Sequence, residues 1–458
     1  MNKLIFTLVF VFVAALVYGG NYLSDVLSAG SGFSAKNICS GYFLSGMPGH
    51  QIVAEVLLPT SPVLANISFE IDTIDRRVDT RFFGLYPRRA IFTEGTGCTL
   101  LRADRQTMER MLDVALVSEP NTALPWPQGA APATGNALLE PILEQAFAET
   151  DPRYARNTKA VVVIHKGQLV AEKYAQEVDA DTPLPGWSMT KSVTSLLTGL
   201  LVQNGKLSLS QSAPVPSWHE EVGDPRAEIT IDQLLRMSSG LEFDEEYGIY
   251  SDVTRMLSIE PSAADFAASK PLVAEPGSVW SYSSGTSNIL SGIIRQAVGS
   301  YMQEYYDFTQ KQLFLPLGIR TASMETDNNG TFIGSSFMYA SARDWARLGQ
   351  FCLQDGQWMG ERLLPEGWMD YSTTPTPNNP RNNYGAHFWL NADPEDTTLQ
   401  RTWPDLPADT YSMNGFQGQR VIIIPSKDLV VVRLGFSGGS NRGIEQLVYG
   451  LIDVLAPD

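Results

Sequence analysis

The spacing of apolar positions along this chain changes several times, and each change marks an element. From Leu4 to Tyr18 every residue but Thr7 is apolar. The run is shorter than the ~20 residues a membrane-spanning helix needs, and Met1 and Lys3 precede it as in the n-region of a signal peptide. Residues 21–35 are small and polar, the composition of a tether. From about 36 to 118 the pattern is short and strand-like, as in Gln51-Ile-Val-Ala-Glu-Val-Leu-Leu. Asn121 to Gly135, rich in Pro, Gly and Ala, reads as the linker between a small N-terminal module (36–120) and a larger domain (136–458).

Within that domain, Ala137 to Phe147 has helical periodicity. Lys159-Ala-Val-Val-Val-Ile and Gln168-Leu-Val-Ala-Glu-Lys-Tyr read as two strands joined by a turn at His165-Lys166-Gly167. Met189, Val193, Leu196, Leu197, Leu200 and Leu201 recur at helical spacing, predicting a helix over Trp187 to Asn204 that ends at Asn204-Gly205. Further helices are predicted over 231–238, 285–298 and 341–354. Strands over Arg420 to Ile424 and Leu429 to Leu434 and a helix over Gly443 to Leu455 close the chain. Helices inserted between an N-terminal hairpin and C-terminal strands predict an α+β fold, with an antiparallel sheet assembled from both ends of the domain.

The 458 residues carry a formal net charge of -17, with 43% hydrophobic and 18% charged positions. That composition builds a core and argues against nucleic acid, whose phosphates need clustered Lys and Arg. The N-terminal run is either a cleaved signal peptide or an uncleaved anchor, since Val17-Tyr18-Gly19 offers small residues but no A-x-A. Either reading places the protein in a periplasmic or extracellular compartment, touching a membrane only through this segment. Export would allow Cys39 and Cys98 to pair; closing their loop of about 59 residues would be worth roughly 4 kcal/mol. Two separate buried thiols are the other reading. Cys352, in an apolar pattern with Leu348 and Phe351, reads as core.

Candidate chemistry begins at Ser188-Met189-Thr190-Lys191. Residues three apart share one face of a helix, and a serine at a helix N-terminus feels the positive end of its dipole. Lysine can take a serine proton only when burial lowers its pKa from about 10.4. The apolar helix face and Trp187 make that plausible, although an N-cap serine with a solvated lysine would look the same. Trp280-Ser281-Tyr282-Ser283-Ser284-Gly285 precedes another apolar helical run and offers a tyrosine able to relay a proton, its phenol pKa held low by the lysine cation. Met413-Asn414-Gly415-Phe416-Gln417-Gly418-Gln419 opens a strand; a glycine there lets backbone approach a substrate.

In this order the three elements resemble the serine β-lactamase and penicillin-binding-protein superfamily, in particular class C-like hydrolases that include esterases and 6-aminohexanoate-dimer hydrolases. Asp232-Gln-Leu-Leu-Arg-Met-Ser-Ser-Gly-Leu-Glu-Phe, Pro276-Gly277-Ser-Val-Trp280 and Ala342-Arg-Asp-Trp-Ala-Arg-Leu-Gly support it, over roughly 136–456. The resemblance implies a β-lactamase/transpeptidase-like fold with an all-helical subdomain, Ser188 as nucleophile, Lys191 as base and Tyr282 as relay. It implies an oxyanion hole from the backbone N–H groups of Ser188 and Phe416, with Gln419 the alternative to Phe416. Tyr247 in Phe243-Asp-Glu-Glu-Tyr247 resembles the cleft-lining loop of those hydrolases, a solvated turn being the other reading; Ser284 and Gly415 are expected to contact substrate. No metal or organic cofactor is expected.

Two departures bear on substrate. The strand motif lacks the Lys or His of true β-lactamases, and Tyr282-Ser283-Ser284 replaces their Tyr-x-Asn. A small amide or ester is therefore the expected substrate. A β-lactamase or D-alanyl-D-alanine peptidase, and a non-catalytic penicillin-binding-like sensor, are the alternatives. Gly435-Phe436-Ser437-Gly438-Gly439 is not a nucleophile elbow, because all four histidines precede Ser437.

Overall fold

The computed structural model describes residues 2–101, 112–114, 121, 123–133, 135–150, 155–248, 250–299, 301–438 and 443–457, with side chains from Leu23 onward. Helix α1 (Asn2–Phe43) opens the chain. Strands β1 (Ile67–Asp72), β2 (Arg77–Phe82), β3 (Leu85–Thr93) and β4 (Gly97–Leu101) form an antiparallel sheet in that order, and α1 lies on it. After α2 (Glu140–Phe147) come β5 (Thr158–His165), β6 (Gln168–Tyr174), α3 (Met189–Gln203), α4 (Ser284–Val298) and α5 (Ala342–Leu353). The chain ends with β7 (Trp389–Leu390), β8 (Tyr411–Gly415), β9 (Gln419–Ile424), β10 (Leu429–Gly435) and α6 (Ile444–Leu455).

The principal sheet runs β7-β8-β9-β10-β5-β6, antiparallel throughout, so the two ends of the domain meet where β10 pairs β5, with Val432 opposite Val162. Its central strands are continuous Val/Ile runs because both faces are covered. Val162, Ile164, Val421, Ile423, Val430 and Val432 point into a core with α3 and α5. Val161, Val163, Ile422, Ile424 and Val431 face α2 and α6. Gly349 lets α5 lie close on the sheet: a Cβ there would stand 2.6 Å from Val430.

The first part of the chain departs from its sequence reading. Residues 21–35 are not a tether but part of α1, with Ala29, Ser31, Ser34 and Ala35 buried. Gln51 to Leu58 is not a strand; residues 49–52 are α-helical and 53–57 form a wider π-type turn. Nor is 36–120 a separate module: Ile38, Cys39, Ile52, Val56 and Phe82 share one core with Leu196, Met338 and Trp345. The 121–135 segment is held rather than loose, since Trp126 is buried and Arg343 and Arg347 donate to the carbonyls of Ala130, Pro127 and Gly129. The Leu4–Tyr18 run lies outside the residues whose side chains are described; among the described residues no helix is long and apolar enough to cross a membrane.

Two links fasten α1. Cys39 and Cys98 form a disulfide from α1 to β4, with Cα atoms 6.0 Å apart, while Cys352 is a buried free thiol. Next to it Lys36 forms a buried ion pair with Glu325, whose carboxylate also accepts from Ser40 Oγ at 2.7 Å and the Cys98 N–H at 2.6 Å. Three donors around one buried charge are what such a group requires.

Candidate active site

The site is built where α3, α4 and the end of β8 converge. Ser188 is the N-cap of α3 and is half-buried, with Lys191 one turn on and buried. Trp187, just before it, has φ +48, a left-handed conformation that costs a bulky residue of order 1–3 kcal/mol. Packing holds it there: its ring lies 6.2 Å from Phe33 of α1, 6.0 Å from Phe337 and 5.6 Å from Phe416. Ser192 and Ser195 of α3 donate to the carbonyls of His387 and Ala386, which fixes the helix behind the nucleophile.

Lys191 Nζ lies 3.2 Å from Ser188 Oγ, 2.9 Å from Ser284 Oγ and 3.1 Å from the Ser335 carbonyl. Burial pushes its pKa down to about 8, only partly opposed by the Glu245 carboxylate. The sequence-based requirement for a desolvated lysine is thus met, and the solvated-lysine reading is not.

Glu245 is the residue that sequence reasoning missed. Its carboxylate accepts from the Ser284 N–H at 2.6 Å and from Ser284 Oγ at 2.6 Å, capping the N-terminus of α4. Ser284 thereby joins Lys191 to Glu245 through one hydroxyl. Burial raises the Glu245 pKa, with Lys191 pulling it back. The only signal was an acid two places before Tyr247 in an acidic stretch, where a solvated carboxylate is the ordinary reading.

Tyr282 is walled by Tyr384 and Trp389, with ring centroids 5.6 and 5.3 Å away. Lys191 Nζ sits over its ring face, 4.8 Å from the centroid. The expectation that the cation would hold this phenol low is overturned. Burial first, then Tyr384 and Glu245, raise its pKa well above the usual value, against the Ser188 hydroxyl. Tyr282 is a neutral phenol, a donor.

Tyr247 borders the site while 48% of it stays exposed. Its ring stacks on Phe416 at 6.0 Å and 7°, and the hydroxyls of Ser284, Ser188 and Ser336 lie around its phenol. Gly415 is required by contact: a Cβ there would stand 2.1 Å from the Gly186 carbonyl, so only glycine lets β8 reach the start of α3. Phe416 follows, partly exposed between Trp187 and Tyr247. Gln419, opposite Gly415 in the β8–β9 pair, is fully buried, and its side-chain amide exchanges hydrogen bonds with the Gly435 backbone. Arg420, also buried, donates to the Gly415 and Gln419 carbonyls at 2.9 and 2.7 Å. Burial draws its pKa to about 10, and it lies within electrostatic reach of Tyr282.

His387 is buried and neutral, its ring nitrogens paired with Ser287 Oγ and the Leu235 carbonyl, and burial lowers its pKa to about 3. Ser437 donates to the Arg156 carbonyl and has no histidine partner. Among the described residues no three His, Cys, Asp or Glu side chains gather to hold a metal ion.

Comparison with known proteins places the chain in a family. Residues 143–443 match the family described as Beta-lactamase. The 6-aminohexanoate-dimer hydrolase of Paenarthrobacter ureafaciens is 23% identical over 309 residues, 64% of this chain and 75% of that protein. The crystal structure of a penicillin-binding protein from Bacillus halodurans superposes with a TM-score of 0.51 at 18% identity, over 68% of this chain and 99% of that one. EstCE1, described as a hydrolase with promiscuous acyltransferase activity, gives 0.51 at 16% identity, over 68% and 97% of the two chains. Fold, family match and relatives agree: the chain belongs to the β-lactamase family, whose members include amide- and ester-cleaving hydrolases.

Proposed function

We propose that this protein is a serine hydrolase that cleaves a small, uncharged amide or ester through an acyl-enzyme on Ser188, in a periplasmic or extracellular compartment. The observation that carries the reading is a buried lysine with its pKa drawn to about 8, 3.2 Å from a serine hydroxyl at a helix N-terminus. Neutral Lys191 takes the Ser188 proton as Oγ attacks the substrate carbonyl. Negative charge develops on the carbonyl oxygen, and the N–H groups of Ser188 and Phe416 receive it. Tyr282, a neutral phenol, gives its proton to the leaving nitrogen or oxygen and recovers one from Lys191. Water then attacks the ester with the same groups running in reverse, and Ser188 is regenerated. Tyr247 and Phe416 supply an apolar wall for the acyl group.

The test uses a fluorophosphonate probe and p-nitrophenyl acetate and butyrate. Ser188→Ala should lose both labelling and turnover while keeping its thermal unfolding transition; an equally active variant refutes the assignment. Steady turnover separates an enzyme from a sensor, which would give a single burst.

Substrate class follows from the strand motif. Met413 is fully buried and Phe416 carries no charge, so neither supplies the cation that holds a β-lactam carboxylate. Such a charge-assisted hydrogen bond is worth ~1.5–3 kcal/mol. Uncharged esters should therefore exceed nitrocefin in kcat/KM by at least about tenfold. Nitrocefin preference would hand the lead to the lactamase reading and bring Arg420 in as the carboxylate partner.

A further inference from the structure

At the C-terminal end of α5 the surface opens into a cavity of about 490 Å³, a size typical of small-molecule sites. Gln350 and Gln354 form one wall. Gln357 to Gly360 form another, from the short hairpin that pairs Gln357–Trp358 with Glu361–Arg362. Gly167 of the β5–β6 turn and Pro127 close it. The cavity shares no lining residue with the catalytic cleft. Trp345 of α5 packs against Gly186, beside the nucleophile, and Gln354 lies nine positions further along, ~14 Å at 1.5 Å per residue.

Two features of this cavity are costly to the fold. Gln350 is 3% exposed, and its side-chain Oε1 has no hydrogen-bond partner among the described residues. A buried acceptor left unpaired is destabilising, and a donor brought by a ligand would satisfy it. The second feature is the turn of the hairpin. Met359 and Gly360 sit between its two strands with φ +50 and +86. Two-residue turns of this hand favour Asn-Gly, whereas Met359 carries the strain of a left-handed backbone. The turn thereby holds an apolar side chain, 54% exposed, at the edge of the cavity.

The lining selects the chemistry of the ligand. Among the described residues no charged side chain lines the cavity, so an anion or a cation would find no counter-charge. A wholly apolar ligand would leave the Gln350 oxygen unpaired. Three glutamines, Gln350 buried and Gln354 and Gln357 exposed, offer amide donors and acceptors, while Trp358 and Met359 give an apolar side. A ring with hydroxyls at its edge and C–H groups on its face complements both.

We infer that this cavity is a binding site for a neutral saccharide, with Gln350 Oε1 accepting from a sugar hydroxyl. The site is separate from the reaction at Ser188 and does not depend on it.

Saturation-transfer NMR on the full chain with cellobiose and N,N′-diacetylchitobiose tests this. At least one of the two should bind. Gln350→Met, and separately Gln354→Ala with Gln357→Ala, should each raise its dissociation constant at least about tenfold. An unchanged thermal unfolding transition verifies the fold, and the exposed pair carries the test if the buried variant unfolds. No saturation transfer to either sugar overturns the inference. So does an affinity unchanged in the exposed pair, which would put the sugar elsewhere, or stronger binding of an uncharged acetylated diglycine amide, which would make this a peptide site.

Discussion

Lys191 has three oxygen partners, Ser188, Ser284 and the Ser335 carbonyl, and none of them is an anion. That choice of neutral acceptors lets burial dominate its titration. The folded pKa, about 8, lies below the unfolded value, so the burial penalty is fully present below pH 8 and is relieved as pH rises toward 10.5. The difference corresponds to about 3 kcal/mol as an upper figure. Lys191→Met should therefore abolish ester turnover and yet raise the unfolding temperature at pH 7, with the gain shrinking by pH 10. Melting curves of both proteins at the two pH values check this; a variant less stable at pH 7 than at pH 10, relative to wild type, would reverse the sign.

Glu245 acts on the same lysine with the opposite sign, because a carboxylate nearby favours the ammonium form. Glu245→Gln should move the acid limb of the pH–rate profile to lower pH, with activity near pH 6 increased relative to the plateau. A limb that stays in place would mean Glu245 serves only to hold Ser284.

At the scale of elements, the regular parts of the catalytic half were legible because their patterns are unambiguous. The α3 periodicity, the turn at His165-Lys166-Gly167 and the closing Val/Ile strands each obey one period and one set of end signals. Residues 21–35 of α1 were misread for a physical reason. Its Gly, Ser and Ala residues resemble a tether, but they are small because the helix lies tight against its neighbours. A Cβ at Gly30 would stand 3.0 Å from Phe82, and one at Gly32 only 2.5 Å from the Ser258 carbonyl. Small residues for close approach and small residues for flexibility look alike in one dimension. The site divided similarly: Ser188, Lys191, Tyr282, Ser284, Gly415, Phe416 and Tyr247 meet in one cleft, whereas Glu245 depended on a fold-level contact.

The contact of β8 with the start of α3 carries its own prediction. Gly415→Ala must displace either Gly186 or the strand end, since its Cβ would overlap the Gly186 carbonyl at 2.1 Å. Overpacking of this kind costs about 1–3 kcal/mol. A shift of about 1 Å in the Phe416 N–H should lower kcat by up to ~100-fold. Separate measurement of kcat and unfolding free energy distinguishes misplacement from global loss; unchanged kcat would remove Phe416 from the oxyanion assignment.

Over the whole molecule, the first hundred residues and the catalytic fold are one cooperative body, joined at the Lys36–Glu325 pair and the adjoining disulfide. Both ionic partners are buried, so removing one leaves an uncompensated charge. Lys36→Met should cost about 3–5 kcal/mol, and Lys36→Met with Glu325→Gln should recover most of it. Urea unfolding of the single and double variants decides this, and additive losses would show that the pair is not coupled. The pair also constrains ancestry. The Bacillus halodurans penicillin-binding protein matches over 99% of its length while spanning 68% of this chain, so much of this sequence has no counterpart in it. Without α1 the Glu325 carboxylate would lose its Lys36 partner, and burial would then favour a neutral group at this position. Homologues without α1 should carry a neutral residue where this chain has Glu325, and those with α1 an acid facing a base; frequent acids without a basic partner would break that inheritance rule.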